Sequence, residues 1–159
     1  RKAKIGLEEL SDSGFKVAIL RCPMIYGKKC KGNYRTLSEL EKKSLIFPKI
    51  KNKRSMLYIG NLVEFVRLVI QNEENGLFCP CDKEEICTSE LVRMIELIHG
   101  KKIVLIPGVG WALKILSHVS NKVNKAFGNF SYSDELSEYK EEYRLFSLSD
   151  AVRETEKDE

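Results

Sequence analysis

The chain has 159 residues, enough for one domain, and its 43% hydrophobic and 31% charged residues are ordinary for a globular protein. No apolar run approaches the ~20 residues that cross a bilayer, and the first ten residues have the pattern of an amphipathic helix, not of a signal peptide. The net charge of +4 is unevenly spread. Residues 28–54 carry ten Lys/Arg and two Glu, whereas residues 134–159 carry ten Asp/Glu and four Lys/Arg. Such a basic segment suits an anionic small molecule, a membrane surface or nucleic acid.

The predicted elements of the first half alternate between helix and strand. In order, they are a helix over 2–10, a strand over 17–20, a loop over 26–32, a helix over 34–43, and extended segments over 46–50 and 55–59. The first strand is expected to end at Pro23, because proline donates no hydrogen bond to a sheet ladder. Asn33 is predicted to be the N-cap of the helix after the loop, since its side chain can accept from a first-turn amide.

The second half continues the alternation. In order, the sequence predicts a helix from 62 to about 72 capped by Asn61, a strand over 77–81, a helix over 89–100 capped by Thr88 or Ser89 and closed by Gly100, a strand over 102–106, a helix over 109–124, an extended stretch over 143–146, and a last helix over 150–156 capped by Ser149. This alternation predicts an α/β fold with parallel or mixed strand pairing. The strands are too few and too short for a complete doubly wound sheet.

Cysteine and histidine do not form a recognisable site. The five cysteines are odd in number and include no C-x-x-C pair, and Cys79-Pro80-Cys81 lacks a matching second pair of ligands. We interpret the cysteines as free, buried thiols of a protein in a reducing cytoplasm. His99 stands at a predicted helix C-terminus, where a cation is favoured, and we interpret His118 as structural or exposed. The sequence therefore predicts neither a metal site nor a catalytic residue.

Two segments resemble a known family when they are taken in order. LRCPMIYG, residues 20–27, is similar to the strand-to-loop run L-R-P-x-x-x-Y-G of extended short-chain dehydrogenases/reductases. KRSMLYIGNL, residues 53–62, is similar to the family's later segment R-x-x-x-x-V-x-D-L. Cys22 stands where many members have proline, and Asn61 where many have aspartate. The resemblance implies an NAD(P)-dependent nucleotide-sugar epimerase or dehydratase, with bacterial proteins of surface-polysaccharide synthesis as the most similar subset.

The resemblance implies a Rossmann-type fold with a smaller C-terminal substrate-binding domain, of which this chain is the C-terminal fragment. Residues 1–30 would be the residual edge of the Rossmann domain, and residues 31–159 mainly the nucleotide-sugar-binding domain, with residues 61–81 returning to the Rossmann part. The sequence contains neither a G-x-G-x-x-G loop nor the family's catalytic Tyr-x-x-x-Lys, and it opens on Arg1 inside a helical pattern. We therefore expect that an N-terminal Rossmann half is missing and that this chain alone is inactive.

The resemblance also implies the roles of several residues. Arg54 matches an arginine that often binds the nucleotide diphosphate; a guanidinium also forks naturally onto phosphate oxygens, and the alternative is an exposed arginine on a basic strand edge. Asn33 matches a position that often contacts the nucleotide sugar, with a simple N-cap as the alternative. Pro23 and Met24 match the loop that passes the nicotinamide ring. The alternative is that Pro23 only terminates a strand and that Met24 packs in the core. Tyr26 matches a family aromatic that is structural as often as functional.

In the complete enzyme the resemblance implies NAD or NADP as cofactor, which this fragment alone is not expected to bind, and a nucleotide-diphosphate sugar as substrate. A cytoplasmic protein without a membrane span is expected. The composition of segments 17–20 and 77–81 is typical of interior strands, but most of the sheet that would flank them is not in this chain. Their unpaired apolar edges therefore predict association, for example as a homo-oligomer. The alternative function is a non-catalytic binding or scaffold module derived from the same family. Nucleic-acid binding through residues 28–54 is not favoured, because the segment has no recognisable binding motif or aromatic platform.

Overall fold

The computed structural model describes residues 14–108 and 128–157. Their elements in chain order are β1 (Ala18–Leu20), β2 (Met24–Tyr26), α1 (Asn33–Lys43), β3 (Ile46–Pro48), β4 (Met56–Tyr58), α2 (Ile59–Gln71), β5 (Gly76–Phe78), α3 (Thr88–His99), β6 (Val104–Ile106), α4 (Asp134–Ser137) and α5 (Leu148–Glu156). The helices predicted over residues 2–10 and 109–124, and His118, lie outside the described residues. The stretch over 143–146 contains no strand.

The six strands of the described residues form three parallel pairs, whereas the isolated bridge between Arg54 and Ile86 is antiparallel. β1 pairs with β5, β2 with β4, and β3 with β6, in the registers Leu20↔Phe78, Met24↔Met56 and Ile46↔Val104. Parallel neighbours need a crossover connection; α1 lies between β2 and β4 in the chain, and α2 between β1 and β5. The predicted α/β class is therefore confirmed.

Apolar side chains gather in two clusters. In α2, Phe65, Leu68 and Val69 recur at helical spacing and are buried; with Leu57 and Tyr143 they form one cluster, against which Ala18, Leu20 and Phe78 pack. The other cluster combines residues of β2, α1, β3, β4, α3 and α5 with Ile86 and Ile103, which lie between elements. Its members from the six elements are Tyr26, Tyr34, Leu37, Phe47, Met56, Leu91, Val92, Ile95, Leu148, Ala151 and Val152. β1, β5 and α2 thus share a core that is separate from the core under α1, α3 and α5.

Helices α1 and α2 both begin earlier than predicted. α1 begins at Asn33 itself, and Gly32 holds the N-cap position with a φ of 126°, which favours glycine. Asn61 is not a cap either, because α2 begins before it. Its buried amide donates to Asp82 Oδ1 at 2.8 Å and to the main-chain oxygen of Phe146 at 3.2 Å. Asn61 therefore ties α2 to two other segments and satisfies buried polar groups.

The start of α3 also differs from the prediction, whereas its end does not. α3 begins at Thr88, and neither Thr88 nor Ser89 is the cap; that position belongs to Cys87, whose main-chain nitrogen donates to Glu90 Oε2 at 3.3 Å. The helix ends at Gly100, which has a left-handed φ of 66°. The predicted glycine termination is confirmed, since glycine adopts this conformation without a Cβ clash.

The last helix, α5, is capped by Ser147 and not by Ser149. Ser147 Oγ accepts a hydrogen bond from the main-chain nitrogen of Asp150 at 3.2 Å. We expect Ser147→Ala to lower the free energy of unfolding by about 1 kcal/mol, because a first-turn amide loses its acceptor. The control Ser149→Ala should change it by less than about 0.5 kcal/mol. Urea denaturation of both variants checks this, and equal losses would contradict the assignment of the cap.

Candidate functional site

A cleft of about 560 Å³ lies where four chain segments meet. It is lined by Cys22, Pro23, Met24, Ile25, Lys31, Gly32, Asn33, Arg54, Gly128, Asn129 and Phe130. The structure therefore brings together all the residues that the sequence singled out for ligand binding: Pro23, Met24, Asn33 and Arg54. The sequence reasoning missed residues 128–130 as part of the site, although Gly128-Asn129 has the composition of a turn.

The main chain at Arg54 is held from two sides. Its nitrogen donates to the oxygen of Ile86 at 3.1 Å, and the nitrogen of Ile86 donates back to Arg54 at 3.1 Å. On the other side, Phe130 donates to the oxygen of Lys53 at 3.0 Å and accepts from the nitrogen of Ser55 at 2.8 Å. These bonds fix the position from which the Arg54 side chain reaches the cleft.

The Arg54 guanidinium is buried without an opposite charge among the described residues. Arg54 is 6% exposed; Nη1 donates to the main-chain oxygen of Gly128 at 3.1 Å, and the buried Nε has no hydrogen-bond partner there. Burial lowers the pKa of the Arg54 guanidinium because desolvation disfavours a charged group, although an arginine stays protonated in proteins. The alternative of an exposed strand-edge arginine is wrong. A buried cation is costly when it is unpaired, so the cleft is suited to an anion.

The N-terminus of α1 adds positive potential to the same cleft. Gly32 and Asn33 line it, the cap makes no side-chain hydrogen bond to the first turn, and that turn contains no acidic residue. A helix N-terminus carries roughly half a positive charge from its aligned peptide dipoles, and Lys31 lies beside it. Together with Arg54, these groups provide the charge and the donors that a phosphate group requires.

The remaining predicted residues have distinct positions. Tyr26 is fully buried and stacks on Tyr34 with a ring-centroid distance of 5.1 Å, so it belongs to the core. Burial raises the pKa of Tyr26, which keeps its hydroxyl neutral. Pro23 lies between β1 and β2, and Met24 begins β2 and packs partly against the core that contains Tyr26. Both are half-buried and present part of their surface to the cleft.

A second polar cluster lies among residues that do not line the cleft. His99 Nδ1 is 2.8 Å from Glu41 Oε2, and its Nε2 is 3.1 Å from Glu156 Oε2. Ser38 also donates to Glu156 Oε2, at 2.8 Å. His99 is the last residue of α3, as predicted, but its partners are carboxylates of α1 and α5. The cluster joins three helices.

Within residues 14–108 and 128–157, no three His, Cys, Asp or Glu side chains are grouped to hold a metal ion. Cys79 and Cys81 are buried, and Cys22, Cys30 and Cys87 are partly buried; all five are free thiols. No helix in this part of the chain is long and apolar enough to cross a membrane.

Comparison with known proteins finds relatives of similar sequence, although no family model matches the chain. The chain is 29% identical over 116 residues to UDP-glucose 4-epimerase of Vibrio cholerae, a match that covers 70% of this chain and 35% of that protein. It is 31% identical over 91 residues to N-acetyl-alpha-D-glucosaminyl-diphospho-ditrans,octacis-undecaprenol 4-epimerase of Escherichia coli O157:H7, which covers 55% of this chain and 28% of that protein. The predicted resemblance to the extended short-chain dehydrogenase/reductase family is thus confirmed.

The fold of the chain agrees with that resemblance. A crystal structure of UDP-glucuronic acid 4-epimerase from Bacillus cereus, in complex with UDP-glucuronic acid and NAD, matches with a TM-score of 0.62 and 17% identity. The match covers 89% of this chain and 44% of that one. The predicted Rossmann-type α/β fold is thus confirmed. The chain spans about a third of the length of the curated relatives it matches.

Proposed function

We propose that this chain is the substrate-binding portion of an NAD(P)-dependent nucleotide-sugar epimerase or dehydratase that serves the synthesis of surface-polysaccharide sugars. The observation that carries the proposal is the buried Arg54 guanidinium, which has no carboxylate partner among the described residues and lines a cleft with the N-terminus of α1. A diphosphate would pair with the guanidinium and with the main-chain N–H groups at the start of α1. The names of the two curated relatives support this ligand, because each describes a sugar attached to a diphosphate group.

The four cleft residues that the sequence singled out then have specific roles. Arg54 would donate to the diphosphate in a bidentate, charge-assisted contact, and Asn33, at the start of α1, would contact the nucleotide sugar. Pro23 and Met24 would lie beside the nicotinamide. NAD(P), when bound, would accept a hydride from a sugar carbon. The chain has no glycine-rich turn to hold the dinucleotide pyrophosphate, so its residues fit only the nicotinamide end of the cofactor.

The two apolar clusters support part of the proposed division of the chain. β1, β5 and α2 share one core, which supports placing β1 and residues 61–81 in a Rossmann part, whereas Tyr26 of β2 packs in the other core. The core under α1, α3 and α5 would belong to the substrate-binding domain within residues 31–159. Leu77 of β5 is 42% exposed and Ile70 of α2 is 71% exposed. This apolar surface supports association with the N-terminal half or with a second copy, and the free thiols support a cytoplasmic location.

A binding experiment combined with an activity assay tests the proposal. We expect the chain to bind a UDP-sugar saturably and UDP to compete for the same site, whereas uridine, which has no phosphate, competes poorly. With NAD present, the chain should release no epimerised or dehydrated sugar, because it has no Tyr-x-x-x-Lys motif. Isothermal titration and product analysis measure these two outcomes.

Two results would count against this function. A folded chain that binds no nucleotide sugar would favour the scaffold alternative. Reproducible turnover by the chain would show that its own residues complete the reaction, and that the fragment is not limited to binding.

A further inference from the structure

Phe130 is an aromatic side chain that the core does not use. It is 44% exposed, lines the cleft beside Arg54 and belongs to neither apolar cluster. Its main chain is nevertheless held by the hydrogen bonds to Lys53 and Ser55 described above, at 3.0 and 2.8 Å. A large apolar ring that remains exposed on a fixed backbone in a cleft is a common feature of ligand sites.

The neighbouring aromatic ring leaves room for a partner. Phe130 and Tyr132 meet edge to face, with ring centroids 5.2 Å apart and an angle of 74° between the planes. The main-chain nitrogen of Tyr132 donates to Ser55 Oγ at 3.0 Å, which fixes that ring's backbone as well. Because the two rings are not stacked, at least one face of Phe130 remains uncovered by Tyr132, and that face can receive another flat ring.

We propose that Phe130 stacks on the nucleobase of the ligand whose diphosphate contacts Arg54, an inference that rests on the proposed function. Phe130 and Arg54 are partners in a parallel bridge, and neighbouring strands lie about 4.8 Å apart. In a nucleotide sugar, only the ribose separates the base from the diphosphate, so both contacts fit one molecule. Base–aromatic stacking accepts any base, since every base has a π-face.

The exposure of Phe130 favours the base over the hexose ring. The reacting sugar has to lie against the nicotinamide, in the part of the site from which water is excluded. Pro23 and Met24, which would border that part, are half-buried, whereas Phe130 is 44% exposed. The nucleoside end of the ligand is therefore the end that reaches Phe130.

The test measures the affinity of the full-length protein for UDP, inorganic pyrophosphate and UDP-glucose by calorimetry. Phe130→Ala should weaken UDP about tenfold and leave pyrophosphate unchanged, and Phe130→Trp should retain the wild-type affinity for UDP. Phe15→Ala is the matched control, because Phe15 is 52% exposed and does not line the cleft.

The other outcomes overturn the inference in distinguishable ways. Equal weakening of UDP and pyrophosphate by Phe130→Ala would show that the ring only supports the Arg54 segment. Weakened UDP-glucose with unchanged UDP would assign the ring to the hexose. If the wild-type protein binds neither UDP nor pyrophosphate, the proposed function fails together with this inference; if Arg54→Ala weakens both but Phe130→Ala weakens neither, only the inference about Phe130 fails.

Discussion

Replacing Arg54 by methionine is expected to weaken the binding of a UDP-sugar about ten- to hundredfold and to leave the free energy of unfolding unchanged or higher. Charge-assisted hydrogen bonds of this kind contribute about 1.5–3 kcal/mol to binding. Methionine keeps an apolar stem in the buried position but removes a cation that has no carboxylate partner among the described residues. Replacing buried ions by apolar side chains is often neutral or stabilising, by about 1–4 kcal/mol.

Two further variants make this experiment decisive. Arg54→Lys should recover only part of the affinity, because an ammonium group cannot donate in a fork. Lys53→Met is the matched control: the Lys53 side chain is 79% exposed and forms an ion pair of 3.6 Å with Glu85, so affinity and stability should both change little. Calorimetric titration and thermal melts measure both properties. Wild-type affinity in Arg54→Met would remove Arg54 from the site, and a large fall in stability would make it a structural arginine.

The sequence predicted that Arg54 matters but not that it is buried. The residues on its N-terminal side, Lys49, Lys51 and Lys53, have the charge density of an exposed edge. Burial comes instead from contacts distant in the chain, with Ile86 on one side and residues 128–130 on the other. No local sequence pattern encodes such pairing. The sequence could therefore identify Arg54 as a cation near the ligand, but not the free energy needed to bury its charge.

Helix starts show the same limit at a smaller scale. Ser147 and Ser149 are equally good caps by residue type, and only the main-chain path selects Ser147. Asn61 has the composition of a cap, yet its amide binds Asp82 inside the protein. Burial raises the pKa of the Asp82 carboxyl, and this effect outweighs the hydrogen bonds from Asn61 and Tyr58, which lower it. An aspartate at position 61 would place a second carboxylate beside Asp82, whereas the amide of Asn61 donates to it at 2.8 Å.

The cluster around His99 contains two buried carboxylates away from the cleft. Glu41 and Glu156 are 1% and 8% exposed, and both face the same imidazole. Glu41 lies on α1, His99 ends α3, and Glu156 ends α5. The imidazole is close to both carboxylates, and Glu156 also accepts a hydrogen bond from Ser38. Because water does not reach these carboxylates freely, such partners compensate for their burial. His99 therefore connects α1, α3 and α5. Hydrophobic periodicity predicts each of these helices separately, but not the contact between them.

Removing this imidazole is expected to cause the largest loss of stability among the changes considered. His99→Ala should lower the free energy of unfolding by about 3–5 kcal/mol, because it leaves buried carboxylates without their partner. Combining His99→Ala with Glu41→Gln should recover part of that loss, since an amide is cheaper to bury than an unpaired charge. Leu97→Ala, on the same helix and 80% exposed, is the control. Urea denaturation gives all the values, and a His99→Ala loss no larger than that of Leu97→Ala would show that the three helices are held by apolar packing alone.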